Sequence, residues 1–229
     1  IEPREMWDKY GIQALITNSY VIWKHEKLKS VAITEGVHSL LNYPGMIMTD
    51  SGTFQSYVYG DVEVGVEEIV KFQKDIGVDV ATMLDVFTRP DMTYSKVKEA
   101  VTETFSRGMP SIEIAQEMML NGPIQGGIFP ELRALSAKKM SELDFSVHPI
   151  GGIVPVMEQQ KYTHLAKIML ATKSNLSPNR PCTCLVVVTL CCSRCLSGLV
   201  QICSTQPLMS CSHEMEGCLH RGVLKKFQR

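Results

Sequence analysis

The chain has 229 residues, with 23 Lys and Arg against 24 Asp and Glu and a formal net charge of −1. That balance gives no overall attraction to nucleic acid, so any such binding needs a local patch. Apolar residues make up 45 %, enough for a core, yet no run reaches the roughly 20 apolar residues of a membrane helix and no basic-then-apolar leader opens the sequence, so a cytoplasmic protein with no membrane partner is expected.

Up to residue 181, apolar runs alternate with amphipathic stretches. The runs ALITNSYVIW (14–23), GMIMTDS (45–51), VDVATMLDV (78–86), PIQGGIF (123–129) and VHPIGGIV (147–154) predict strands. Within VEEIVKFQKDIG, Val66, Ile69, Val70 and Gln73 follow the i, i+3, i+4, i+7 spacing of one helix face. Val97, Ala100, Val101 and Thr104 do the same in YSKVKEAVTETFSRG, and PELRALSAKKMSEL and KYTHLAKIML read as further helices. Strand alternating with helix implies parallel strands with helices outside. Roughly five such βα units without a dinucleotide fingerprint favour an α/β fold of the incomplete TIM (β/α)8 barrel type over a doubly wound sheet.

In a barrel the chemistry sits on loops after the strand C-termini. The unusual polar residues fall there: Asn18, Asp50, Asp85, Gln125 and the pair Gly151-Gly152. Asp50 ends an apolar run and enters Ser51-Gly52. It is either a general acid or base at a pocket rim or an Asx-turn and helix cap. Asp85 has the same two readings, and as a carboxylate it suits the N–H and NH2 edge of a guanine-like ring. Gln125, between Gly122 and Gly127, both donates and accepts; the alternative is a bend with an exposed amide. Gly151-Gly152 could offer backbone N–H groups to a carbonyl oxygen, or form a tight turn. Phe54 suits stacking on a flat heterocycle, or the core. His148 and His164 lack partners at ligand spacing and read as ordinary core or surface histidines.

Taken together, ITNSY (16–20), TDSGTFQ (49–55), VYGDVEV (58–64), FQKDIGVD (72–79), LDVFT (84–88), GPIQGG (122–127), LR (132–133) and PIGGIVPVME (149–158) resemble the tRNA-guanine transglycosylases. The resemblance runs from Ile1 to Pro181, and TDSGTFQ with GGIVPVME is similar to the archaeal branch, which installs 7-cyano-7-deazaguanine at position 15 of the tRNA D-arm on the path to archaeosine. It implies a TIM barrel with zinc, tRNA and guanine or 7-cyano-7-deazaguanine as partners, and a homodimer for the intact family member. It implies base exchange through a covalent ribosyl-aspartate. In that scheme Asp50 matches the aspartate that shuttles the proton on the leaving and entering bases. Asp85 matches the reader of the purine's N1–H and 2-amino edge. Gln125 and the Gly151-Gly152 backbone match the groups around the base oxygen or its substituent, Phe54 the stacking aromatic, and Asn18 a residue orienting Asp50. Queuine-type exchange at the wobble position, or a non-catalytic base- or tRNA-binding subunit, are the alternatives.

The last 48 residues, 182–229, differ. All eight cysteines fall between Cys182 and Cys218, and the only acids are Glu214 and Glu216. The family's nucleophile motif (DxFDSA-like) and zinc ligands (C-x-C-x2-C and a later His) are absent; Cys191, Cys192, Cys195 and His213 fit no closed tetrahedral pattern. A frameshift accounts for this. Starting one nucleotide earlier, codon degeneracy permits VHLFGCGHPML from the Pro181 region and DLFDSAAY from QICSTQPLMS, which resemble family motifs. The expected organisation is therefore a partial barrel, 1–181, with a frameshifted and non-native tail, 182–229: an inactive fragment without nucleophile or metal ligands.

Overall fold

The computed structural model describes residues 1–55, 64–177, 179 and 181–183, all within the unit Ile1–Leu185. Strands β1 (Ala14–Asn18), β2 (Met46–Asp50), β3 (Val80–Thr82) and β4 (Met119–Asn121) pair in chain order and all in parallel. A second parallel pair joins β5 (His148–Pro149) to β6 (Cys182–Thr183). Isolated parallel bridges Asn121↔Val147 and Ile124↔Ile150 connect β4 and the loop after it to the β5 segment. Parallel neighbours need long crossovers, and helices supply them. The fold is α/β with a parallel sheet.

The helices form where the apolar spacing places them. Helix α5 (Val66–Asp75) buries Ile69, Val70, Phe72 and Gln73, and α6 (Tyr94–Ser106) buries Val97, Ala100, Val101 and Thr104. Pro130 starts α8 (Pro130–Met140) at the first turn, where a missing N–H is harmless. α10 (Tyr162–Lys173) buries Leu165, Ile168, Met169 and Thr172. Ile47, Ile69, Ile76, Met83, Ile124 and Phe145 are essentially inaccessible. Each contributes about 1.5–3 kcal/mol of burial.

Several boundaries move. The first run stops as a strand at Asn18, because Asn18 Oδ1 accepts the Val21 N–H and caps α2 (Ser19–Lys24). Helices α3 (Glu26–Glu35) and α4 (Val37–Leu41) then lead to β2. The strand expected at 123–129 lies earlier, at Met119–Asn121, and 122–127 is a loop. Pro123 has no N–H to donate. Gly126 and Gly127 take φ of 152° and 56°, which end extended pairing. Helix α7 (Gly108–Ala115) was hidden by Gly108 and Pro110, but the first turn tolerates both. The short helix α9 (Val154–Glu158) follows the Gly151-Gly152 turn. Cys182 and Thr183, just past the expected domain boundary, are strand residues paired with β5; the rest of the tail, with seven of the eight cysteines and His213, lies outside the described residues.

Candidate active site

Asp50 leaves the C-terminal end of β2 beside Asn18 of β1, its register partner. Ser19 Oγ donates to the Asp50 carbonyl at 2.7 Å, and the Gly52 N–H reaches Asp50 Oδ1 at 3.4 Å, so the Asx-turn reading holds as far as the backbone goes. Gly52 has φ 96° and lies against the Tyr20 side chain, leaving no room for a Cβ. The turn thereby stays tight and the carboxyl stays at the strand tip. Burial, and then the charge of Asp85, push the Asp50 carboxyl up; the Gly52 and Ser51 N–H groups oppose the shift. Thr53 Oγ1, three residues after Asp50, donates to the Asp85 carbonyl at 3.4 Å, so the two strand ends meet.

Asp85 follows β3 and is buried. Burial raises its pKa; hydrogen bonds from Thr53 and Gln125, and the Arg107 charge, pull the other way. Gln125 Nε2 donates to Asp85 Oδ2 at 2.5 Å. Thr88 Oγ1 donates to Gln125 Oε1 at 2.6 Å and accepts the Gly127 N–H at 2.9 Å. Gly151 packs so closely on Gln125 Nε2 that a side chain would collide with it, and a Cβ there would sit 3.4 Å from Asp85 Oδ2. The loops after β3, β4 and β5 thus meet around the Asp85 carboxylate.

Two expectations change in detail. The Gly151 N–H is engaged, donating to Ile124 O at 3.0 Å, because the parallel bridging between 124 and 150 runs one step further; of the pair, Gly151 offers no backbone donor to a ligand. Asn18 does not hydrogen-bond the Asp50 carboxylate. Its Nδ2 donates to Gln55 Oε1 at 2.9 Å and its Oδ1 is taken by Val21, since a residue that caps α2 turns toward that helix. Phe54 is half-buried, edge-to-face with Phe87 at 5.8 Å. His148 is a core residue whose Nδ1 lies 2.9 Å from Gly122 O, and His164 is exposed.

Sequence reading gave no role to Thr88, Thr53 or Arg133. Arg133 is fully buried. Its guanidinium donates to Gly127 O, Ile124 O and Gly151 O at 2.9, 2.8 and 2.8 Å, tying the Gln125 loop to the Gly151 turn. An arginine on a helix gives no local hint of burial; only its place in the LR segment distinguished it. Among the described residues no group of three His, Cys, Asp or Glu side chains is placed to hold a metal ion, so the described residues do not fit a zinc site. A cavity of about 340 Å³ on the loops following β3 and β5 is lined by Arg89, Pro90, Asp91, Pro155, Gln159 and Lys161; neither carboxylate lines it. No described helix is long and apolar enough to cross a membrane.

The model of the family described as "TGT: Queuine tRNA-ribosyltransferase" matches residues 1–190. A tRNA-guanine(15) transglycosylase of Methanopyrus kandleri is 45 % identical over 181 residues, 79 % of this chain and 39 % of that protein. Its counterparts in Thermoplasma acidophilum and Picrophilus torridus are 46 % and 48 % identical, over 79 % and 75 % of this chain and 28 % and 27 % of theirs. The chain thus spans well under half the length of these curated relatives. By the extent of that match, the chain belongs to the tRNA-guanine transglycosylase family, of the archaeal type.

Proposed function

We propose that this chain carries the base-recognition half of a tRNA base-exchange site, replacing guanine at position 15 by 7-cyano-7-deazaguanine toward archaeosine. The observation that carries the reading is the convergence of Asp50 and Asp85 from the ends of adjacent parallel strands, with Gln125 and Gly151 closing around Asp85. The relatives are named for guanine 15 of tRNA. The parallel strand order β1-β2-β3-β4, bridged onward to β5, supports an arc of a (β/α)8 barrel.

In this reading Asp85 accepts hydrogen bonds from the N1–H and 2-amino group of the base, and Gln125 holds it in position to do so. Asp50, whose carboxyl is pushed toward the protonated form, gives a proton to the departing guanine and takes one from the incoming base. An aspartate nucleophile forms the bond to ribose C1′ as the C1′–N9 bond breaks, and the incoming base reverses the step at the same carbon, a double displacement. The described residues hold no motif that supplies that nucleophile, and zinc enters no step. The chain by itself then binds a base and does not exchange it. Residues after Thr183 lie outside the described structure, and we attribute their composition to translation out of frame. Sequencing the gene across codon 181 tests that attribution: an unbroken frame with codons that do not give the shifted motif removes it.

The functional test is calorimetric titration of the full chain with guanine, 7-cyano-7-deazaguanine and adenine, beside exchange of labelled guanine into tRNA. Binding of the first two and not of adenine, without exchange, is expected. Equal binding of adenine overturns the base-reading role, and exchange by this chain overturns the claim of inactivity. Binding without exchange also fits a non-catalytic subunit; the gene sequence separates that from a broken enzyme.

A further inference from the structure

Strands β2 and β3 are paired differently from their neighbours. β1 and β2 are in register from Ala14↔Met46 to Asn18↔Asp50, and β3 and β4 from Val80↔Met119 to Thr82↔Asn121. Between β2 and β3 the register is the single pair Met48↔Val80. Past Val80, β3 stays with β4, with the Met83 N–H donating to Asn121 O at 3.2 Å. On the β2 side its backbone meets a side chain instead. The Thr82 N–H donates to Gln73 Oε1 at 2.9 Å, and Gln73 Nε2 donates to Thr82 O at 3.0 Å. From β2, Thr49 Oγ1 donates to the same Gln73 Oε1 at 2.7 Å. Gln73 and both threonines are buried.

A side-chain amide carries the same donor and acceptor as a peptide group. Here it stands where the next rung of the β2–β3 ladder belongs, and it satisfies backbone groups that burial would otherwise leave without partners. A rung made of hydroxyl, amide and peptide is longer than one made of two peptides, which hold strands about 4.8 Å apart. This rung lies on the side of the strands' C-terminal ends, where Asp50 and Asp85 emerge. Beyond the wedge the gap is again crossed by side chains: Ser51 Oγ donates to Met83 O at 3.0 Å, and Thr53 Oγ1 to Asp85 O at 3.4 Å.

We propose that Gln73 is a positioning residue whose amide, inserted from α5, splays β2 from β3 and sets the separation of Asp50 and Asp85. The proposal rests on the base-exchange reading of those two carboxylates. It assigns to a helix residue that reaches neither carboxylate the spacing that a flat purine meets.

The test uses the full chain and two variants. Gln73→Met keeps the volume and removes the amide. Guanine affinity is expected to fall at least tenfold by calorimetry. By carbon NMR, the effect of Asp85→Asn on the titration of Asp50 is expected to differ between the Gln73→Met and unaltered backgrounds. If Gln73→Met folds, binds guanine within twofold, and leaves the Asp85→Asn effect unchanged, the proposal is wrong and Gln73 only packs. Should that variant not fold, Gln73→Glu serves. Its protonated carboxyl reproduces both bonds to Thr82, and its ionised form faces Thr82 O with no donor. The affinity ratio of variant to unaltered chain is then expected to fall at least tenfold from pH 5 to pH 8, and a ratio constant with pH overturns the proposal. Failure of the unaltered chain to bind guanine at any pH counts against the base-exchange reading alone, because the NMR comparison still reports the separation.

Discussion

Gln125 Nε2 donates to Asp85 Oδ2 at 2.5 Å, joining residues forty positions apart in the chain. The other end of the amide is held by the Thr88 hydroxyl at 2.6 Å, so one threonine fixes which way the glutamine points and, through it, which way the carboxylate points. Thr88→Val keeps the shape and removes the hydroxyl. We expect guanine affinity to fall about tenfold, the equivalent of one net hydrogen bond near 1.4 kcal/mol, with adenine still refused. Calorimetry on both bases checks this; unchanged affinity would mean that the Thr88 backbone N–H, 3.3 Å from Gln125 Oε1, holds the amide without the hydroxyl.

The two aspartates make stability depend on pH in a direction opposite to that of salt-bridged carboxylates. Burial, and then the Asp85 charge, raise the Asp50 pKa above its unfolded value of about 3.9. The folded chain then holds its proton more tightly than the unfolded chain. Stability from this group is complete below about pH 3.9 and is lost as pH rises through the folded value. Asp50→Asn is therefore expected to stabilise the chain at pH 7, with the advantage shrinking toward pH 4. Urea midpoints across that range decide it, and an advantage that grows on acidification would reverse the sign. Asp85→Asn removes the charge that helps raise Asp50, so Asp50 should titrate lower in that variant, read by carbon NMR.

Gly152 turns at φ 67°, and a methyl there would sit 2.7 Å from Thr88 O and 3.0 Å from Gln125 Oε1. Gly152→Ala combines backbone strain with a collision against a bond that orients the site. A loss of about 1–3 kcal/mol is expected from the strained conformation alone, together with weaker guanine binding. Denaturant unfolding and calorimetry on the same variant separate the two effects.

Arg133 is tested by substitution in two steps. Arg133→Met leaves the carbonyls of Gly127 and Gly151 without their donor, and that of Ile124 with the Gly151 N–H alone. At about 1–3 kcal/mol for an orphaned buried group, a loss of at least about 2 kcal/mol is expected. Arg133→Lys supplies a compact ammonium in place of the planar fork and should restore less than half of it. Full recovery by lysine would show that charge, not the shape of the fork, holds the two loops.

The amino-acid sequence by itself determined the alternation of strand and helix, because apolar spacing records which face of each element is covered. The α6 stripe Val97, Ala100, Val101 and Thr104 is buried as its spacing requires. It also marked Asp50 as the end of a strand, since a polar residue after an apolar run marks where a strand leaves the core. Other features came only from tertiary structure. Gln73 lies on the buried face that the periodicity assigns to it, yet the spacing says nothing of the rung it forms with Thr82, nine residues away. β4 lies at Met119–Asn121 rather than at 123–129 because Pro123 and two glycines with positive φ cannot carry a ladder. Arg133 and the engaged N–H of Gly151 follow from the stagger of β5 against the loop after β4. Local pattern states what a residue faces; the partner it meets depends on how far one strand slides past the next, and packing of the whole unit sets that.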